Sequence, residues 1–459
     1  MRHETAHMSF SSPSETREFP NGRAELLSSE GMTVRRVRVL TCAVILLAAV
    51  SVTVVTTPSA ASEQPNVVVR WNEVALSFIV DDGASRQGST RTPSAAALYV
   101  GMVQAAVYNA TMAIEGSHTL YRSSLSAAPG ASVDAAVAVA AHDVLAEYYT
   151  TTAQRERLAN ALEVDLAQIV DGPAKEAGIQ VGRAAAAEVI ASRANDGRFA
   201  SVPSPPDGVE PGQWRRTAGP AAVTPWTAHV RPFLVNAADQ FRPDGPNRLT
   251  GDDYAEQFEE VRLYGAIDSP VRTEEQTEIA RFWTDNTVSQ FNRAFRSLAV
   301  ERGLSVGDTA RLFAVTALTG ADAMISCWDA KYHYLSWRPV TAIRLAGGDG
   351  NPATTADATW VPFSPTANHP EYTSGHACLT GAVSHALSEF LGTTDIELTM
   401  DSAIPNTSPR HFDTASDLRV EVENARIYGG DHFRVGGSDG TRAGEHVARW
   451  AIKRNFRPA

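Results

Sequence analysis

Apolar residues recur at three- and four-residue spacing along most of the chain, and no sustained apolar–polar alternation is found, so the pattern predicts an all-α fold. After a short extended start, residues 93–195 read as helical almost throughout, with Ala-rich stretches from Val133 to Tyr149, Ala153 to Val170 and Pro173 to Ala194. Asp171-Gly172-Pro173 supplies a stop for one helix and a first-turn proline for the next. The pattern breaks over residues 197–250, where prolines 203, 205, 206, 211, 220, 225, 232, 243 and 246 mark a long irregular connection. This segment is taken as the boundary between an N-terminal helical bundle (66–196) and a C-terminal one (251–459).

Helical patterning resumes at Asp252. Thr273 and Gln276 form a capping-box signature. Ser305 and Asp308 open a further helix, on which Ala317, Ala321, Met324 and Trp328 share a stripe continued by Lys331. A second irregular segment covers 345–373. Helices are then expected from Ser374 to about Leu391, Ala415 to Tyr428 and Ser438 to Arg454. The expected architecture is two helical bundles packed side by side, with long irregular connecting loops.

Composition changes this picture little. The chain has 459 residues, 43 % hydrophobic and 20 % charged, which suits a packed globular body. A formal net charge of −12 argues against a nucleic-acid surface, although a few focused cations can still capture a small anion. Near the N-terminus Arg35, Arg36 and Arg38 precede an apolar run from Val39 to Val55 and then Ser59-Ala60-Ala61. That order is the pattern of a signal segment, so export is expected, either cleaved after Ala61 or anchored. Residues 1–31 read as an extension ahead of Met32. Beyond Cys42 the chain has Cys327 and Cys378, which lack metal-type spacing and read as buried free thiols.

Three short segments carry candidate chemistry. Lys331 precedes Arg338-Pro339 by about two helical turns, so both cations can face the same way, with Arg338 at the helix end because Pro339 disfavours helical geometry there. Ser374-Gly375-His376 opens an apolar helix: Ser374 suits an N-cap, and Gly375 lets an anion approach exposed N–H groups. Arg426 and His432 flank Gly429-Gly430, which can stop a helix and turn the chain so that the two converge. Taken singly, each has a plainer account: a basic helix end, a cap before a surface histidine, a loop histidine.

Together, their order and spacing resemble the signature of the vanadium haloperoxidase and type-2 phosphatidic acid phosphatase (PAP2) superfamily, and most of all its bacterial haloperoxidase-like branch. Asp171-Gly-Pro-Ala-Lys, Pro211-Gly-Gln-Trp, Asp239-Gln-Phe-Arg-Pro, Glu278-Ile-Ala-Arg-Phe-Trp and Trp328-Asp-Ala-Lys-Tyr extend the resemblance over residues 66–455. It implies that Lys331, Arg338 and Arg426 neutralise the oxygens of a bound oxyanion, helped by the Ser374 hydroxyl and the Gly375 N–H. It further implies that His432 binds vanadium and that His376 is the acid–base group.

The implied cofactor is vanadate, with phosphate able to occupy the same site, and no haem or flavin. The implied partners are hydrogen peroxide, a halide and a small organic acceptor: peroxide replaces oxygen ligands on vanadate and then oxidises the halide. The runner-up is a phosphatase that hydrolyses a phosphate ester with His432 as nucleophile and His376 as acid. A third reading is an inactive, exported anion-binding protein.

Trp328 matches a pocket aromatic of the family, or is simply core. His369 stands where a histidine accompanies bromide rather than chloride preference in resembling enzymes, or is a solvated loop residue. The chain departs from the family at Thr373, in place of proline, and at Ala425, in place of a small hydroxylic residue. It also departs at Asp431, where the slot is often apolar and an inward carboxylate would oppose anion binding. Asp285 or Asp329 is a guess for a carboxylate buttressing Arg426.

Overall fold

Capping chemistry places most of the helices. The computed structural model describes residues 65–459, so the N-terminal extension and signal segment lie outside the described residues. α1 (Val67–Leu76) is capped by the Asn66 side chain, which accepts from the N–H groups of Val68 and Val69, and it runs into a π-helical turn ending at Asp82. An extended start was expected here. The spacing of buried Val67, Val68, Trp71 and Ala75 on one helical face prevails over the strand preference of the valines.

α2 (Pro93–Glu115) begins at the Thr92 cap and ends at Gly116, whose φ of 67° stops it. α3 (Val133–Tyr148), α4 (Thr152–Ala167) and α5 (Pro173–Ser192) are the three Ala-rich stretches. Residues 116–132, inside the span read as helical, are irregular, because Gly116 closes α2 and Pro129-Gly130 lead into the Ser132 cap of α3.

The rest comprises α6 (Asp252–Tyr264), α7 (Glu274–Phe282), α8 (Thr287–Glu301), α9 (Val306–Tyr334), α10 (Pro339–Leu345), α11 (Gly375–Leu391), α12 (Ala415–Tyr428) and α13 (Arg434–Ile452). The Thr273–Gln276 capping box and the Ser305 and Ser374 caps are all formed. α13 starts four residues before the expected Ser438. Gly436-Gly437, which reads as a helix breaker, lies inside it because a Cβ at Gly436 would collide with the Glu371 carboxylate.

Besides a minimal hairpin, β1 (Ala84–Ser85) with β2 (Gly88–Ser89), one real antiparallel pair exists, β3 (Asp395–Met400) with β4 (Arg410–Thr414). In β3 buried Ile396, Leu398 and Met400 alternate with exposed neighbours, an alternation too short to weigh in a whole-chain pattern. The class remains all-α.

α2 and α9 form the centre. Each is long and apolar enough to cross a membrane by length and composition, yet 89 % of its most apolar window is buried within the protein. α3, α5 and α11 pack around this pair, and one hydrophobic cluster reaches from Val67 to Phe456. The Pro-rich segment 197–250 is bound to this centre rather than hanging free. Asp322 on α9, fully buried, accepts the N–H groups of Phe233, Leu234 and Val235 at 2.6, 2.7 and 2.8 Å. Burial pushes its carboxyl up to about 6 even against these donors. Arg193 stacks on the Phe233 ring at 3.8 Å and donates to the Arg231 carbonyl. Farther along, Trp214 N–H donates to the Leu335 carbonyl and Trp337 N–H to the Gly212 carbonyl.

α11 and α13 touch backbone to backbone. A Cβ at Gly381 would strike the Thr441 carbonyl, and one at Gly444 would strike the Cys378 carbonyl. Alanine at Gly444 would gain about 1 kcal/mol of helix propensity. Overpacking against a rigid backbone costs about 1–3 kcal/mol, and it wins here because neither helix can yield alone. Gly444→Ala is therefore expected to lower the urea midpoint of unfolding, whereas Glu389→Ala, on an exposed turn of α11, leaves it within error.

Candidate functional site

Each site residue is placed by a local stop or cap. α9 ends when Leu335 takes a left-handed conformation (φ 49°) and its N–H closes on the Lys331 carbonyl. The chain then runs extended through Ser336 and Trp337, pinned to Gly212 and Trp214, until Pro339 opens α10. Arg338 is thus the N-cap residue of α10 (φ −79°, ψ 155°), not the end of the helix that carries Lys331. The expectation of two cations on one helical face is corrected: they approach each other across a turn. The proline effect on Arg338 is as expected.

The segment before α11 brings Asn368, His369 and Glu371 inward, and α11 begins at the Ser374 cap. The Ser374 hydroxyl accepts from Ala377 N–H at 3.4 Å. The N–H groups of Gly375 and His376, in the first turn, have no carbonyl four residues back to bind. A Cβ at Gly375 would lie 3.2 Å from the Trp328 ring, so glycine keeps this helix end against the aromatic floor. α12 stops at Gly429, and Gly430 (φ 75°) turns the chain so that the N–H groups of Asp431 and His432 both close on the Arg426 carbonyl. That fold-back lays the Asp431 carboxylate on the Arg426 guanidinium, Oδ2 to Nη2 2.5 Å.

A cavity of about 260 Å³ results, lined by Trp328, Arg338, His369, Gly375, His376, Arg426, Asp431 and His432. Thr92 and Ser94 from the start of α2, and Val223 from the Pro-rich segment, complete its wall. Val223 is fixed there by its carbonyl, which accepts from Tyr332 Oη at 2.8 Å, and by its N–H to the Asn368 carbonyl. Lys331 and Ser374 are not on the wall. Lys331, fully buried, lies behind it and donates from Nζ to the carbonyls of Pro370 and Glu371, each at 2.9 Å.

Arg338 is tied down on all sides. Nε donates to the His369 carbonyl and Nη1 to the Asp431 carbonyl, each at 2.8 Å, while Nη2 meets His369 Nδ1 at 2.9 Å. Nη1 also lies 3.1 Å from His432 Nε2. A guanidinium only donates, so His432 Nε2 is an acceptor there, and its proton is on Nδ1, which donates to Glu371 Oε1 at 2.9 Å. His369 is partly buried and packs on Trp328, ring centroids 5.2 Å apart, rather than in a solvated loop. Arg426 gives Nη1 to the Trp283 carbonyl and Nη2 to Asp431. Its Nε, and Nε2 of His376, are buried without a hydrogen-bond partner.

Two assignments change. Asp285 pairs with Arg293 and Asp329 with Arg242, so neither buttresses Arg426; Asp431 does. Glu371 was missed in the sequence. It is 1 % exposed and holds both the His432 ring and the Phe433 N–H. A carboxylate three residues before Ser374 is its only signal in the sequence. Thr373, in place of the family's proline, finds partners in the Cys327 and Cys378 thiols, both free and buried as expected.

Comparisons with known proteins bear on the fold that holds this arrangement. A family model described as the VCPO second helical-bundle domain matches residues 311–458. The curated vanadium chloroperoxidase of Curvularia inaequalis is 27 % identical over 270 residues, and the chain spans 44 % of that relative's length. A crystal structure of a bacterial vanadium-dependent iodoperoxidase superposes with a TM-score of 0.70 at 21 % identity, covering 85 % of this chain and 95 % of the other. An apo-type bacterial vanadium-dependent chloroperoxidase gives 0.64 at 18 % identity, covering 82 % and 96 %. Residues 311–458 thus match the VCPO second helical-bundle family, and the chain shares the fold of the bacterial vanadium haloperoxidases.

The cavity electrostatics are set by burial. Desolvation holds His369, His376 and His432 well below the usual imidazole range, reinforced by the nearby cations, so all three are neutral at pH 7. Burial pushes the Lys331 ammonium down to about 8 and the Arg338 guanidinium down to about 10. It pushes Glu371 up to about 7 and raises Asp431 against the pull of Arg426.

A lysine depressed to about 8 is charged below that pH and loses its charge above it, so an anion must bring a proton with it at higher pH. Sulfate affinity, read with an anion whose own charge is constant here, is expected to fall as Glu371 ionises through about pH 7 and to fall again above about pH 8 as Lys331 loses its charge, by at most about tenfold per unit for each group. Calorimetric titration measures it, and Lys331→Met is expected to remove the fall above about pH 8.

Proposed function

We propose that the cavity binds vanadate and that the protein is a vanadate-dependent haloperoxidase. The observation that carries the reading is the His432 ring. Glu371 holds its Nδ1–H, so the ring's lone pair is on Nε2 at the cavity wall, where it accepts from Arg338 Nη1 and would exchange that hydrogen bond for a bond to a Lewis acid. The donors around it suit a tetrahedral oxyanion. Arg426 Nε is a buried donor without a partner, the first-turn N–H groups of α11 bring the positive end of a helix dipole, and His376 Nε2, also unpartnered, offers its lone pair to a proton carried by the guest. Buried unpaired donors are costly, and a guest that accepts from them relieves that cost.

In this reading Lys331, Arg338 and Arg426 balance the guest's charge, and the Ser374 hydroxyl and Gly375 N–H donate to its oxygens. His432 is the vanadium ligand. Bound vanadate would serve as a Lewis acid that activates hydrogen peroxide toward halide. His376, neutral and with Nε2 free, accepts the proton that peroxide gives up and returns it as product leaves. Trp328 and His369 wall the side where halide would enter. His369, neutral and held by Arg338, supports bromide over chloride, and a small organic acceptor would take the oxidised halogen. The N-terminal basic and apolar run supports export of the protein.

The test is bromination of a phenolic dye by purified apoprotein given orthovanadate and hydrogen peroxide. Activity is expected with vanadate and not with phosphate, and His432→Ala is expected to reduce it at least about 1000-fold. Vanadate bound without bromination from mildly acidic to neutral pH would overturn the peroxidase reading. Hydrolysis of a phosphate ester in vanadate-free buffer, abolished by His432→Ala, would put a phosphatase in its place.

A further inference from the structure

We propose that Asp431 limits the negative charge the cavity accepts, so that the site discriminates in favour of a singly charged oxyanion, such as vanadate near neutrality, over a doubly charged one, such as phosphate. The inference rests on the oxyanion reading above and concerns the same cavity.

Asp431 is 2 % exposed and lines the cavity together with His376, Arg426 and His432. It is held at both ends. Its carbonyl accepts from Arg338 Nη1 at 2.8 Å, and its carboxylate oxygen lies 2.5 Å from Arg426 Nη2. On the far side, a Cβ at Gly429 would come within 2.6 Å of the same carboxylate oxygen, so the carboxylate is packed against that backbone and cannot swing out. Trp283 takes one N–H of Arg426 Nη1, and Nε has no partner and is free to donate to a guest. Arg426 therefore keeps a hydrogen bond to offer while its charge is offset within the pair.

The consequence depends on guest charge. The energy of a guest in the field of a fixed charge is proportional to the guest's own charge. Removing the Asp431 charge thus helps a dianion twice as much, in free energy, as a monoanion. If the monoanion gains a factor f in affinity, the dianion gains f squared. Phosphate loses its second proton at a lower pH than vanadate. Between those two ionisations phosphate is largely dianionic and vanadate largely monoanionic, so the two anions have similar shape and different charge.

The experiment is calorimetric titration of the full-length apoprotein with dilute inorganic vanadate and, separately, inorganic phosphate at a pH in that interval. The proteins compared are wild type, Asp431→Asn, Asp431→Ser and the double variant Arg426→Gln/Asp431→Asn, each first shown to be folded by circular dichroism. Asp431→Asn is expected to bind vanadate about tenfold more tightly and phosphate about a hundredfold more tightly, moving the ratio of the two affinities about tenfold toward phosphate. Asp431→Ser, which lacks the side-chain amide, is expected to move the ratio the same way. The double variant restores the net charge and is expected to return the ratio to within about threefold of wild type.

Equal tightening of both anions, equal weakening, or an unchanged ratio in the single variants overturns the role of Asp431. A double variant that keeps the shifted ratio overturns it as well. Failure of the wild type to bind either anion overturns the oxyanion reading instead.

Discussion

Three cations without water are the constraint on which this structure turns. Lys331, Arg338 and Arg426 are each less than a tenth exposed and all three act on His376 and His432. Removing an ion from water costs several kcal/mol even after relaxation, of order 5 each, and like charges add to the cost. Only part is returned internally. Asp431 offsets Arg426, and carbonyls of the 369–371 segment and of Asp431 accept from Lys331 and Arg338. The donors that remain, with the open helix end at Gly375, describe the guest by what they lack: a compact anion with several acceptor oxygens.

The surrounding fold serves to hold this arrangement against its own repulsion. Close backbone contact through Gly381 and Gly444 fixes α11 on α13, and so fixes the helix end that faces the cavity. The Pro-rich segment, bound through Asp322, Arg193 and the pairing of residues 212–214 with 335–337, supplies a wall and fixes the turn between Lys331 and Arg338. A long segment without regular structure is thereby a structural member of the site.

What the sequence made legible follows from how local each signal is. Caps are local, and Thr273–Gln276, Ser305 and Ser374 all act where their residues suggest. The all-α class follows from periodicity, which the long helices dominate and the short β3–β4 pair does not. The convergence of Arg338, Gly375, His376, Arg426 and His432 on one cavity was legible only through the joint spacing of three segments. Glu371 was not legible, because its meaning lies in a contact with His432 across sixty-one positions of chain. Asp431 stands out in the sequence as an uncomfortable charge, but the carboxylate expected to buttress Arg426 is Asp285 or Asp329, and the structure puts Asp431 there. The turn at Gly429-Gly430 that folds it back onto Arg426 cannot be read from a list of residues.

The central claim is that His432 offers a lone pair to a metal-centred oxyanion. The most direct measurement is X-ray absorption at the vanadium edge on protein loaded with one equivalent of vanadate, compared with His432→Ala. The account expects one nitrogen ligand at bonding distance in the wild type and an all-oxygen shell, or no bound vanadium, in the variant. An all-oxygen shell in the wild type, or a nitrogen ligand that survives in the variant, would contradict it.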